Sequence, residues 1–277
     1  MKNIIVLFLG VFTPIMLTAQ EFNQDFDAQN IRHLLVANIH GDIKISASGT
    51  SSIKVRTTQE YRDVVANDYP SVAFLQQGDT LALYIRSDCN KFSLNRRDKY
   101  DENRWGYYNW DNCKKNTMLV VDFDIEVPFD ILAILSTINE GDILVKDVRT
   151  PIWANNINGS ISLKNIREVQ KAHTINGNVD LEFNEIPDTP GFFYTLNGDI
   201  NAYLPKDLSA NVTFKTFQGD FYTNFNNAQT RPASIEAKKD QKGFIYRLGG
   251  KANIQINQGG VNLDFETFNG NVYLRTI

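Results

Sequence analysis

The chain is poor in the residues from which most active sites are made. Its 277 residues include two cysteines, three methionines and three histidines. Cys89 and Cys113 are too few for the disulfide framework of a small secreted scaffold, and they lack the partner ligands of a zinc site. His33, His40 and His173 have no helical metal spacing, and no Gly-x-Ser-x-Gly elbow accompanies them. Basic residues are not in excess: 28 Lys and Arg stand against 32 Asp and Glu, a formal net charge of −4. Such a chain has no cationic field to displace counterions, so nucleic acid is not expected as a partner. Helical periodicity is missing throughout, and after the first residues so is any apolar run of membrane-spanning length.

The first residues are the exception. In MKNIIVLFLGVFTPIMLTAQ, Lys2 precedes an apolar run from Ile4 to about Leu17, and Leu17-Thr18-Ala19 suits signal peptidase. Residues 1–19 therefore read as a signal peptide; the run is short of the ~20 residues a span needs and is interrupted by Thr13 and Pro14. Gln20, not Cys, follows the cleavage site, so the lipid-anchoring variant is absent. Export implies the periplasm, the outer cell surface or the extracellular space. There, Cys89 and Cys113 are expected to form one disulfide, closing a loop that restricts the unfolded chain by about 3 to 4 kcal/mol on the entropic model.

What is present is a repeat. The pattern [Thr/Asn]-[Ile/Leu/Phe]-[Asn/Gln/His]-Gly-[Asp/Asn/Ser]-[Ile/Val/Phe] is centred on Gly41, Gly159, Gly177, Gly198, Gly219 and Gly270, with a variant one residue longer at Gly141. From Gly141 the steps to Gly159, Gly177, Gly198 and Gly219 are 18, 18, 21 and 21 residues, the near-constant period of a repeat architecture. Apolar residues two before, two after and often four after the glycine follow period 2, which predicts strands with one buried face. Asn-Gly supplies turn chemistry at the same place. Simple hairpins would fold back every 8 to 12 residues, whereas these units are twice that. The spacing instead predicts a coil in which equivalent residues stack one strand spacing, about 4.8 Å, apart. Several coils are needed to bury the apolar face, and each end must be covered.

The expected fold is all-β: a parallel β-helix or β-solenoid with 18–21 residue coils over 131–277, continuous with a more irregular N-terminal β cap over 20–130. Strands are expected at Leu34–Val36, Asp42–Ser46, Ile53–Thr58, twice within 71–86 around Gln77-Gly78-Asp79, and at Met118–Val127; residues 227–242 read as a loop. Ile125-Glu126-Val127-Pro128, then TINEGDILV, NINGSISLK, TINGNVDLE and TLNGDI at this spacing, resemble the DUF4097 family of exported adhesin-like β-solenoid domains over roughly residues 30–277. That resemblance implies a right-handed β-helix-like fold, carries no catalytic residues across, and leaves the Cys89 to Cys113 segment as an insertion.

Chemistry could sit in that insertion. Tyr100, Trp105, Tyr107, Tyr108 and Trp110 form a candidate binding loop, since aromatics with a polar tip on a stapled loop suit stacking on sugar rings or anchoring a protein; the alternative is that they pack over the end of the coil stack. Asp42, Asp142, Asp199 and Asp220 read as turn polarity, because calcium-binding β-rolls use a nine-residue repeat. Asn158, Asn176 and Asn197 read as a stacked ladder. No catalytic residue, metal site or cofactor is implied. The expected function is an exported non-enzymatic binding or scaffold module, adhesin-like, with a glycan or an envelope protein as the partner classes. The competing readings are a periplasmic accessory of an envelope signalling system and a carbohydrate-active enzyme using a carboxylate pair such as Asp180 and Glu182.

Overall fold

The computed structural model describes residues 21–65, 69–88, 91–98, 101–108, 117–232, 235–240, 243–248 and 252–277. The expected signal peptide, Cys89, Tyr100, Trp110 and Cys113 lie outside them, and with the cysteines the expected disulfide.

The described chain is all-β, in two mixed sheets facing each other. The first runs, in spatial order, β1 (Gln24–Asp27), β4 (Ser52–Arg62), β9 (Met118–Pro128), β3 (Ile43–Ser48), β11 (Ile143–Lys146), β13 (Ile161–Ile166), β15 (Val179–Phe183), β17 (Ile200–Leu204), β25 (Val272–Thr276) and β19 (Phe221–Thr223). The second runs β20 (Ala228–Arg231), β23 (Ala252–Ile256), β18 (Ala210–Lys215), β24 (Val261–Asn269), β16 (Gly191–Asn197), β14 (Val169–Asn176), β12 (Ile152–Asn155), β10 (Leu132–Ser136), β2 (His33–Ala37), β6 (Thr80–Arg86) and β5 (Ser71–Gln77). Two hairpins, β7 (Lys91–Asp98) with β8 (Asp101–Tyr108) and β21 (Ile235–Asp240) with β22 (Gly243–Leu248), form separate pairs.

From β9 to β19, and from β6 to β18, neighbours are parallel; antiparallel strands stand only at the margins. The chain passes from a strand of the second sheet, through a glycine corner, into a strand of the first, and returns. Each strand has one face inside and one outside, which explains why these parallel strands read as alternating and not as continuous apolar runs. The register puts Ile43, Ile143, Ile161, Val179, Ile200 and Val272 in one fully buried row, with Ile45, Val145, Leu163, Leu181, Ala202 and Leu274 in a second.

Spatial order departs from chain order at both ends. The coil of β24 and β25, last in the chain, lies between β16 and β18 in one sheet and between β17 and β19 in the other. Likewise β2 and β3, among the first strands, lie between β6 and β10 and between β9 and β11. The C-terminal coil and the β2–β3 coil are thus tucked inside the stack, and later or intervening strands, with β1 itself at the first sheet's edge, form the margins. The final copy of the repeat comes last in the sequence, and its motif matches the others so well that nothing in the sequence marks its level.

Two further expectations change. Residues 228–231 and 235–240 are strands, not loop, because β20 gains a partner in β23, far along the chain. Except at the first copy, where Ile39 is buried, the apolar residue two before the glycine points outward, and the Thr or Asn one earlier is the less exposed one: Thr174 and Thr195 are 0% exposed, whereas Ile157 is 38% and Phe217 72% exposed. The buried positions flanking the corner are five residues apart, so the alternation slips once as the chain turns between sheets.

Candidate binding surfaces

The corner motif resolves into four ladders. First, the seven repeat glycines form one column in the order Gly41, Gly141, Gly159, Gly177, Gly198, Gly270, Gly219, each so close to the previous backbone that an added Cβ would lie 1.9–2.3 Å from a carbonyl oxygen. Second, the Thr or Asn three residues earlier (four at Gly141), buried in all but Thr216, donates to the neighbouring glycine carbonyl: Thr137 to Gly41, Asn156 to Gly141, Thr174 to Gly159, Thr195 to Gly177, Thr267 to Gly198 and Thr216 to Gly270. Third, Asn158, Asn176, Asn197 and Asn269 each donate Nδ2 to the amide oxygen of the preceding rung, 2.8–3.1 Å away. Fourth, the residue after each glycine except the outermost, Gly219, accepts a backbone N–H from the next coil: Asp42 from Asp142, Asp142 from Ser160, Asp199 from Asn271. Asp42, Asp142 and Asp199 are therefore structural acceptors, whereas Asp220 accepts from the Tyr222 hydroxyl, and every ladder donor belongs to the coil farther from β9.

Of the candidate loop, Trp105 and Tyr108 fall on the backbone of β8, their side chains outside the described part, and Tyr107 is placed in full. Its hydroxyl donates to the Ala37 carbonyl at 2.6 Å and accepts the Ile85 N–H at 2.7 Å. Phe92 stacks on Tyr84, centroids 4.5 Å apart, and meets the edge of Tyr107. This hairpin covers Leu35, Ala37 and Ala82 on the outer face of the second sheet, not the end of the stack. Burial pushes the Tyr107 phenol well above its ordinary pKa, against the lowering by the Ile85 N–H. Tyr107 is an anchor for the hairpin.

Two groups of outward aromatics escaped the sequence reading. On the second sheet Trp153, 41% exposed, donates Nε1 to Gln170 and shares a register row with Lys171 and Phe192; beside it Phe192 and Tyr194 lie parallel, centroids 6.3 Å apart, with His173 at the edge of Tyr194. On the first sheet Tyr222 stacks on Tyr273 at 5.0 Å, and the Arg275 guanidinium lies 4.6 Å over Tyr273 and donates to the Tyr203 hydroxyl. The signal was available: Tyr222 and Tyr273 sit three residues after a repeat glycine, Tyr203 and Arg275 five after, and both offsets face outward.

The acidic and imidazole candidates are spread out. Asp180 accepts from Asn201 Nδ2 at 2.8 Å, and Glu182 is exposed on the same strand. Glu168 is held above the usual carboxylate range, first by burial and then by sharing a hydrogen bond with Asp188. His40 replaces Asn in the amide column; its Nδ1 is buried without a hydrogen-bond partner, and desolvation lowers its pKa, opposed by Glu140 and aided by Arg62. His173 is lowered by burial and by Lys171, while His33 pairs with Asp79 at 3.3 Å. Among the described residues no three His, Cys, Asp or Glu side chains are grouped as metal ligands, and no helix is long and apolar enough to cross a membrane.

No family model and no curated protein matches the chain. Among solved structures, it is similar to one from Clostridium sporogenes described as a "putative cell adhesion protein", with a TM-score of 0.46 and 10% identity over 93% of this chain and 99% of that one. A "putative adhesin" from Bacteroides fragilis gives 0.34 and 13% over 93% and 97%. A "putative lipid binding protein" from Parabacteroides distasonis gives 0.26 and 10% over 93% and 96%.

Proposed function

We infer that the protein is an exported, non-enzymatic binding or scaffold module: a β-solenoid of 18–21 residue coils, adhesin-like in the manner of the DUF4097 family it resembles. One observation carries the reading. Side chains that could do chemistry at the corners are spent on ladders, whereas the outward rows of both sheets present aromatic rings on a rigid backbone. Stacked ladders hold those rows at fixed spacing, so a partner meets a preorganised surface and little ordering entropy opposes binding. Trp153, Phe192 and Tyr194, with Trp153 41% exposed, are the expected contact for a glycan or an envelope protein.

The test is retention of the mature protein on isolated envelope fractions and on an immobilised glycan panel. Trp153→Ala with Phe192→Ala should weaken whatever binding is found by about tenfold or more while leaving the melting transition in place. Undiminished binding by that folded double variant would refute this surface. Hydrolysis of a glycan in the panel would instead favour the carbohydrate-active reading.

A further inference from the structure

β19 is the last strand of the first sheet, and no strand among the described residues pairs with its outer edge. The second sheet continues two strands past the same level, through β23 and β20. The position beside β19 is therefore a step two strands deep beneath an overhang whose Ile254 is half-buried and Ile256 buried. The opposite end of the stack differs. There antiparallel β1 and β4 follow β9, and Phe26 meets Phe74 of the other sheet's last strand edge to face at 5.0 Å.

All the columns of the stack end at this step, and they end with one polarity. Thr216 donates inward to Gly270, so the Gly219 carbonyl occupies the place that accepts a hydroxyl in the inner coils. The Asp220 N–H donates inward to Asn271, leaving a carboxylate where inner coils accept a backbone N–H; Tyr222 touches it at 3.3 Å. The rings finish the same way. Phe217 stacks on Phe268 at 4.7 Å and Tyr222 on Tyr273 at 5.0 Å, each pair 12° from parallel, and the two outer rings are 72% and 47% exposed. The step thus shows acceptors and bare ring faces at one strand spacing.

We propose that the outer edge of β19 is a docking site for an extended peptide segment of another protein, added parallel to β19 and carrying the chain's own corner pattern. That pattern is a Thr or Asn donor, an aromatic residue, Asn or Gln, glycine, and an aromatic residue three positions on. Such a strand continues every ladder at once, with main-chain bonds giving affinity and the two ring columns giving register. End-to-end pairing of two copies about a two-fold axis does not fit, because it is antiparallel and runs the second copy's corner motif in reverse, so none of the parallel ladders is continued. An unpaired strand edge is otherwise a liability that proteins cover or block. The inference is independent of the aromatic surface around Trp153.

The probe is the synthetic peptide DFETFNGNVYLR, this chain's own residues 264–275, added to the full mature protein, whose inner slot is already filled by that segment. Hydrogen exchange of the Phe221 and Thr223 amides, which face the outer edge while that of Tyr222 faces β25, should be fast in the free protein and slowed by saturating peptide. A peptide with alanine in place of its glycine should bind at least about tenfold more weakly, since the glycine column has no room for a Cβ. Asp220→Lys should also weaken binding, and the peptide variant keeps the test decisive if that protein does not fold. Three results would each overturn the proposal: no binding, slow exchange at Phe221 and Thr223 before peptide is added, or protection confined to 191–215, which would mean exchange into the inner slot.

Discussion

Gly270 rests directly on Gly198: a Cβ on residue 270 would lie 1.9 Å from the Gly198 carbonyl oxygen, and the Gly198 N–H donates to Asn269 at 3.0 Å. Gly219, the next repeat glycine after Gly198 in the chain, rests in turn on Gly270. The last coil is thus a structural wedge between two coils that precede it.

Removing that wedge should be felt one level out. A chain ending at residue 260 loses Leu263, Phe265, Val272 and Leu274, all at most 1% exposed, and each worth about 1.5 to 3 kcal/mol of burial. Hydrogen exchange should show protection lost over 210–223 and retained over 143–183; uniform retention would refute the wedge.

The glycine column should tolerate no side chain. Gly177→Ala, whose Cβ would meet the Gly159 carbonyl oxygen at 2.3 Å, is expected to cost about 2 to 4 kcal/mol in urea unfolding. Gly78→Ala, at φ 60° in open space on the β5–β6 turn, should cost only about 1 to 2.

The threonine rungs should each contribute modestly. In Thr195→Val the shape is kept but the Gly177 carbonyl loses the hydroxyl that donates to it at 2.8 Å, a loss of about 1 to 2 kcal/mol. Thr195→Ser should recover part of it, as the shift in denaturation midpoint would show.

Tyr107 should make stability fall in alkali. Its phenol pKa is raised in the folded chain, so its contribution is full below about pH 10, where the unfolded phenol ionises, and is lost as the pH rises beyond. Tyr107→Phe should lower stability by about 1 to 3 kcal/mol at pH 8 and flatten the decline from pH 9 to 11, read from urea midpoints.

His40 has the opposite sign. Its pKa is lowered by folding, so stability is full above the ordinary histidine value of about 6.5 and falls as the pH drops through the folded value. His40→Asn, which restores the residue type of the amide column, should remove part of the loss between pH 7 and 5 in thermal melts. An unchanged acid limb would contradict this role.

Much of this was legible because the motif is stereochemically narrow. Period 2 around each glycine marks the strands, the steps of 18, 18 and 21 residues mark the levels from Gly141 to Gly198, and Met118–Val127 matches β9 almost to its limits. Asn158, Asn176 and Asn197 form the ladder expected of them. Coil order was not legible, because 195–200, 216–221 and 267–272 present interchangeable ladder chemistry. Nor was the direction of the apolar residue before the Asn, since a corner that slips the alternation by one residue leaves no trace in composition. The hairpin's Tyr107 reads in sequence like any exposed aromatic; its two backbone partners, Ala37 and Ile85, are remote in the chain.

The order of the coils is the central claim, and a short thiol-bridging reagent tests it most directly. Asn201 and Tyr273 are register partners on β17 and β25, and Tyr222 is the partner of Tyr273 one strand farther out. With Cys89 and Cys113 replaced by serine, Asn201→Cys with Tyr273→Cys should bridge across one strand spacing of about 4.8 Å, whereas Asn201→Cys with Tyr222→Cys, at about twice that, should not. Bridging of the second pair and not the first would mean that the coils follow chain order and that the wedge does not exist.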